Sequence, residues 1–537
     1  MSADIAMVRI LAADDHLIVR STLGNEPEFP APLRSLEPRR QPLLENSFCK
    51  SGACMRERGV QETRMETSVE RASSGAVERR VARRAPFHSG KWASCTILLF
   101  LLLQGCARTP VREPVTLVYL DQRLVNPMYR TEYEHEFEQF TRETGIIVKA
   151  LPHPESAQDQ LKLWQRVLKS GSSGADVYGI DVVWPDILND DLIDLKPYFS
   201  DEIPQFFPTV LSSFTVQGKL VAIPEGSDIG LLFYRTDLLQ RYGYRRPPES
   251  WDELEKMAAR IQAGERKRGN KKFWGFVWPG IATEALTCTA LEWQASQGGG
   301  RIIEDGGTIS VNNPKAIGAW QRAARWVGTI SPPSVVAFNE FDASNLWFQG
   351  EAAFFRNWPP AYNEAEISGS VLAHKVGVAP LPGGEGGHLG TLGGVGLAVS
   401  RQSDHPKEAI ELVRFLTRPD MAAKRARLLS DPPSLPAVYG IPEVQGPNPH
   451  FPTVIQALLN GVVLRPSDVS GKNYNEVSEA YSRAVHAVLT HQRSAPEAAS
   501  ELEKELVRIT GLKPGPPLNK TTDRLETQLS KERRAER

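Results

Sequence analysis

Short apolar runs alternate with amphipathic helical stripes along this chain, and that alternation narrows its fold more than any other feature. Val115-Thr-Leu-Val-Tyr-Leu120 reads as a strand, and Tyr133, Phe137 and Phe140 then fall at i, i+4, i+7 before Gly145, an expected helix stop. Ile146 to Leu151 reads as a second strand, Leu161, Trp164 and Leu168 mark a second helix, and Val177 to Val183 is a third apolar run. Farther on, Ser250-Trp-Asp-Glu253 has capping-box spacing ahead of Leu254, Ala258 and Ile261. Asn313-Pro314 offers an N-cap and a first-turn proline ahead of Ile317, Trp320, Ala324 and Val327, and Pro406 to Leu416 repeats that logic. Strand and helix in turn predict an α/β fold with a largely parallel sheet.

The chain has 537 residues, enough for two or three domains with a substantial core. Its 63 Lys and Arg balance 64 Asp and Glu, so no charge excess draws it to nucleic acid. At 41% hydrophobic and 24% charged residues, it has the composition of a globular protein.

One segment departs from that description. Trp92 to Leu103 is an apolar run of about a dozen residues, shorter than the roughly 20 that span a bilayer as a helix. Arg79, Arg80, Arg83, Arg84 and Lys91 flank it, and Leu103-Gln-Gly-Cys106 closes it, which reads as a signal peptide. The closing motif resembles a bacterial lipobox, which implies a lipid anchor on Cys106; a single uncleaved anchor helix is the alternative. Cleavage there removes Cys49, Cys54 and Cys95, leaving Cys288 without a disulfide partner, most simply as a buried small hydrophobe. Residues 1–80 show no sustained periodicity, and Met55 and Met65 are better-placed starts than Met1. The expected division is therefore an extension and signal peptide over 1–105 and a linker over 106–114. A charged tail, disordered or loosely helical, is expected over 513–537.

Several segments of the remaining chain resemble the extracellular solute-binding proteins of sugar ABC transporters, the trehalose- and maltose-type branch. They are Ala175 to Pro185, Ala222 to Leu238, Phe355-Arg-Asn-Trp-Pro-Pro-Ala-Tyr362, and Val376 to Gly383 leading into Gly390 to Ser400. The resemblance implies two α/β lobes that close over a ligand about a hinge. Carried onto this sequence, lobe I holds 115–225 and 395–445 and lobe II holds 226–394 and 446–512, with crossings near Pro224, Gly394 and Gly446. It further implies a monomer that captures a di- or oligosaccharide and hands it to the permease subunits of an importer at the cell envelope, with no cofactor.

A pyranose presents hydroxyls at its rim and C–H groups on its faces, so its pocket needs carboxylates, amides or arginine together with aromatic planes. The chain has 11 tryptophans. Trp184, Trp278 and Trp358 each precede a proline, where a core role is less compelling. Asp181 interrupts an apolar strand and Asp228 follows the first crossing; the resemblance places both at ligand-binding positions, against a structural hydrogen bond or a turn cap. Trp358 is the expected stacking platform, and Arg356 beside it is either a hydroxyl donor or a salt-bridge partner. Gly393 and Gly394 allow close backbone approach. Similar proteins often carry tryptophan after these glycines; here Val395 follows, so one stacking surface is expected to be missing. Trp278, Glu284 and Trp293 fall in the region that faces ligand in similar proteins, with core packing the alternative for Trp293, and Arg465 and Tyr474 are weaker candidates.

A glycoside hydrolase needs two carboxylates at a set separation, and nothing in the spacing of Asp181, Asp228 and Glu284 marks such a pair. Nucleophile-elbow, P-loop and His-Glu-x-x-His patterns are absent, so no metal site is expected. A sugar-sensing surface lipoprotein on the same fold remains an alternative to a transport component.

Overall fold

A computed structural model describes residues 114–517 apart from 155 and 171–173. The apolar run before Cys106, Cys106 itself and residues 518–537 lie outside the described residues.

The strands form two main sheets. In the first, β1 (Thr116–Asp121) pairs in parallel with β2 (Ile147–Ala150) on one side and β3 (Val177–Asp181) on the other. The helices α1 (Pro127–Thr144) and α2 (Ala157–Lys169) supply the crossovers. Asn126 caps α1 by accepting from Met128 N, and Gly145 closes it at φ 77°, a conformation open to glycine at little cost. The second sheet has the order β8-β5-β7-β6, built from β5 (Leu231–Arg235), β6 (Trp274–Val277), β7 (Ala352–Asn357) and β8 (Val376–Pro380).

Two strands join the sheets: β4 (Ile223–Ile229), which continues through Gly230 into β5, and β9 (Gly390–Val399), buried at all ten positions. They pair antiparallel, Leu392 opposite Ile229 and Leu397 opposite Ile223, and β9 also pairs antiparallel with β3. The expected largely parallel sheet thus holds for β2-β1-β3, while the second sheet is mixed, with β7 parallel to β6 and antiparallel to β5. The departure has a topological reason: β4 and β9 traverse between the sheets in opposite directions and lie side by side as they cross. The expected crossings at Pro224 and Gly394 fall within these two strands.

Strand alternation divides the core. On β5, Leu231 and Phe233 belong to the apolar cluster that fills the first sheet, whereas Leu232 points to a second cluster with Phe276 and Phe354. The second cluster extends into α3 (Trp251–Lys267), α4 (Glu284–Ser296), α5 (Pro314–Trp326), α9 (Tyr474–Leu489) and α10 (Ala495–Thr510). Between α5 and α9 in the chain come α6 (Glu340–Phe348), α7 (Pro406–Leu416) and α8 (Pro419–Leu429).

Ser250 caps α3 by accepting from Glu253 N at 3.2 Å. The return half of the expected box is not made, because Glu253 accepts from Arg246 and from Glu249 N instead. The tail expectation also changes at its start: Lys513–Pro514 pairs in parallel with Thr308–Ile309.

Candidate functional site

Three strands end beside one cavity of about 1040 Å³. Gln122 and Arg123 follow the carboxyl end of β1, Asp181 closes β3, and Asn357 and Trp358 end and follow β7. Ligands of open α/β sheets gather at such ends because the chain leaves the sheet there and exposes polar groups.

The central feature is β9. Its Gly393 lies opposite Asp228 of β4, and its Val395 lies opposite Asp181 of β3, so two carboxylates flank one glycine-rich strand. Glycine is required at Gly394, and little room is left for a side chain at Gly393. A Cβ on Gly393 would meet the Trp358 ring at 3.0 Å and Asp228 Cβ at 3.2 Å; Gly394 has φ +127°, and a Cβ there would meet Gly226 O at 2.4 Å.

Trp358 is held on three sides. The Arg356 guanidinium lies over its ring, with Cζ 4.2 Å from the centroid, its indole Nε1 donates to Glu340 Oε1 at 2.8 Å, and Gly393 abuts its edge. Arg356 is fixed by buried Glu292, donating from Nε to Oε2 at 2.8 Å. Thr391 N donates to Glu292 Oε1 at 3.1 Å, which ties the pair to β9.

Arg465 joins the first sheet to helix α4. Its Nη1 donates to Glu284 Oε1 at 2.8 Å, and its Nη2 donates to Asp181 Oδ1 at 3.0 Å and to Leu392 O at 3.1 Å. Glu284 also accepts from Tyr474 OH and from Ser478 Oγ. Burial pushes the Asp181 carboxyl above its usual range despite Arg465.

Beneath the cavity, Arg123 donates to Asp121 and Glu225, and Arg425 pairs with Glu136 and Glu225. Burial opposes the Asp121 charge, but Arg123 outweighs it and holds that carboxyl below its usual value.

Residues 130–423 match the family described as bacterial extracellular solute-binding proteins. A probable ABC transporter-binding protein of Deinococcus radiodurans is 44% identical over 374 residues, covering 69% of this chain and 89% of that protein. The chain belongs to the bacterial extracellular solute-binding protein family. Among solved structures, maltose-bound MalE3 of T. maritima matches this solute-binding protein at a TM-score of 0.69 and 34% identity, over 74% of this chain and 100% of that one. The GacH receptor of Streptomyces glaucescens matches at a TM-score of 0.65 over 74% and 99%, and at 22% identity it attests the shared two-lobed fold alone. The family is one of transporter solute-binding proteins, not of enzymes.

Of the residues singled out by sequence, Asp181, Asp228, Glu284, Trp358, Gly393, Gly394 and Arg465 line the binding protein's cavity. Trp184 and Trp278 do not, which corrects the expectation, and Trp293 and Arg356, also outside its lining, take the core-packing and salt-bridge alternatives. Trp184 is buried against Trp164, with ring centroids 6.2 Å apart. Trp278 is 0% exposed, donates to Ser331 Oγ and packs edge-on to Trp293 at 4.9 Å. Trp293 in turn packs edge-on to Trp326 at 5.4 Å. A proline after tryptophan marks a chain bend, and in these two cases the bend turns the ring inward. Arg356 lies one layer behind Trp358. Tyr474 also lies behind the cavity wall, bonded to Glu284.

Sequence reading missed Gln122, Arg123, Tyr129, Asn357 and Glu340. The first two carried a usable signal, since polar residues directly after a first parallel strand sit at its carboxyl end. Tyr129 and Glu340 sit in helix first turns, which sequence alone does not orient. Cys288 is buried, as expected, and contributes to the cavity wall. Among the described residues, no cluster of His, Cys, Asp or Glu is arranged to hold a metal ion.

Proposed function

We propose that this protein captures a neutral sugar, a di- or short oligosaccharide, and delivers it to an ABC importer while tethered to the membrane by lipid on Cys106. The observation that carries the sugar reading is Trp358. Its indole is pinned by Arg356, Glu340 and Gly393 beside Asp228, which pairs an aromatic plane with hydroxyl-bonding carboxylates. Charge argues in the same direction. Asp181, Asp228, Glu284, Glu340 and Glu364 line the cavity, and its two arginines, Arg123 and Arg465, are both ion-paired to the protein's own acids, which disfavours an anionic solute. MalE3, at 34% identity, carries maltose, which makes a glucoside the first candidate.

Delivery follows from the family: two lobes close over solute, and the closed form is presented to a permease. The anchor reading rests on the lipobox resemblance at Leu103 to Cys106, and no helix of the described residues is long and apolar enough to cross a membrane. Mass spectrometry of the N-terminal peptide from membranes tests it; a peptide continuing through an unmodified Cys106 rejects it.

Titration calorimetry with maltose, trehalose, sucrose and longer glucans tests the ligand. Binding of at least one without turnover is expected, and Trp358→Ala is expected to weaken it by about thirtyfold, or ~2 kcal/mol. Binding unchanged in the variant removes Trp358 as the platform. No binding of any sugar rejects the sugar class.

A further inference from the structure

Asp228 is a cavity carboxyl that the protein leaves without a donor. Its Oδ1 is buried and finds no hydrogen-bond partner among the described residues. Tyr129 OH donates to Asp431 Oδ1 at 3.0 Å, Ser227 Oγ donates to Pro433 O, and Arg123 is bonded to Asp121 and Glu225. Tyr439 OH and Arg123 Nη1 are, like Asp228 Oδ1, buried without a hydrogen-bond partner among the described residues. The charged and titratable groups that act on it most are mostly acids: Asp431 from the segment after α8, Asp181 at the end of β3 and Glu340 at the start of α6, opposed by Arg123 after β1. Tyr439 and Tyr129 complete that surround. A buried carboxylate so placed is disfavoured by both desolvation and repulsion.

We propose that Asp228 works in this cavity as a neutral carboxylic acid that donates its own O–H to a ligand oxygen, so that solute capture is linked to a proton. The inference rests on the sugar reading and specifies which protonation state of the site recognises the hydroxyl rim. Burial first, and Asp431 second, push the Asp228 pKa up to about 8. The sign follows. Below pH 8 the acid is present in the free protein and binding exchanges no proton. Above pH 8 the free protein has lost the proton and must recover it to bind, so affinity falls by up to about tenfold per pH unit.

Two measurements on the purified protein test this. Infrared difference spectra between the wild type and Asp228→Asn read the protonated carboxyl band directly, without ligand. The band is expected at pH 7 and absent in the variant; its absence from the wild type at pH 7 overturns the proposal. Maltose calorimetry from pH 6 to 9.5, in buffers of different ionisation heat, is expected to show level affinity to pH 8. Declining affinity and uptake of up to one proton should follow above it. Asp228→Asn, which cannot titrate, is expected to lose the alkaline decline whatever its affinity at pH 7. Wild-type affinity that is flat or rises through pH 8 overturns the proposal, as does an alkaline decline that persists in Asp228→Asn. If maltose fails to bind at any pH, the sugar reading is at fault, and the infrared band alone decides the state of Asp228.

Discussion

His450 is buried with both ring nitrogens lacking hydrogen-bond partners among the described residues, stacked on Tyr362 with centroids 4.3 Å apart and edge-on to Phe451. Burial lowers its pKa to about 3, so the native state holds it neutral while the unfolded chain takes up a proton below about pH 6.5. Its contribution is therefore complete above pH 6.5 and is lost progressively as pH falls toward 3. His450→Phe, which keeps the aromatic stacking, is expected to gain on the wild type by about 2 kcal/mol between pH 8 and pH 5, read from denaturant melts at both pH values. An equal gap at the two pH values would sink this account. Asp228 carries the opposite sign. Its raised pKa means stability is lost as pH rises from about 4 to about 8, so Asp228→Asn is expected to melt above the wild type at pH 8 and to converge with it toward pH 4.

The Arg356–Glu292 pair shows how elements set the platform. The two side chains lie on β7 and α4, and a Cβ on Gly230 between β4 and β5 would meet Glu292 Oε1 at 1.9 Å, so three elements converge on one ion pair. Arg356→Leu leaves Glu292 buried and unpaired and is expected to cost about 3–5 kcal/mol of stability. Replacing both partners by leucine is expected to recover most of that loss in denaturant melts, because a well-packed apolar pair avoids the desolvation penalty. Sugar affinity is expected to stay depressed in the double variant, since the cation beneath Trp358 is gone. Recovery of both would show that Arg356 serves the fold alone. At the crossing, Gly394→Ala is expected to cost about 1–3 kcal/mol, because its φ of +127° and the backbone oxygen of Gly226 leave a side chain no room to yield.

At the scale of the molecule, Arg465 spans the cavity wall from Asp181 at the end of β3 to Glu284 at the start of α4, and Asn126 reaches Glu364 across the cavity at 3.2 Å. Sugar is expected to lower the radius of gyration in small-angle scattering by drawing the lobes together; an unchanged radius would mean that the lobes do not move on capture. The alternation of strand and helix was readable along the chain because each element's apolar period is local. The same holds for the caps Ser250 and Asn313, and for Asp181, an acid in an apolar strand. The motif around Trp358 was legible too, through its resemblance to sugar-binding relatives. Local pattern cannot say which way a ring points once two cores compete for it. Trp184, Trp278 and Trp293 looked like cavity walls and became core, because each had a tryptophan from another part of the chain to pack against. Nor could spacing show that Asp228 lies across a strand pair from Gly393 and faces Asp431, 203 residues farther along the chain (431 − 228). Sequence determined the elements and the family; the tertiary structure alone decided which side chains meet, because burial and charge pairing depend on neighbours brought together from distant segments.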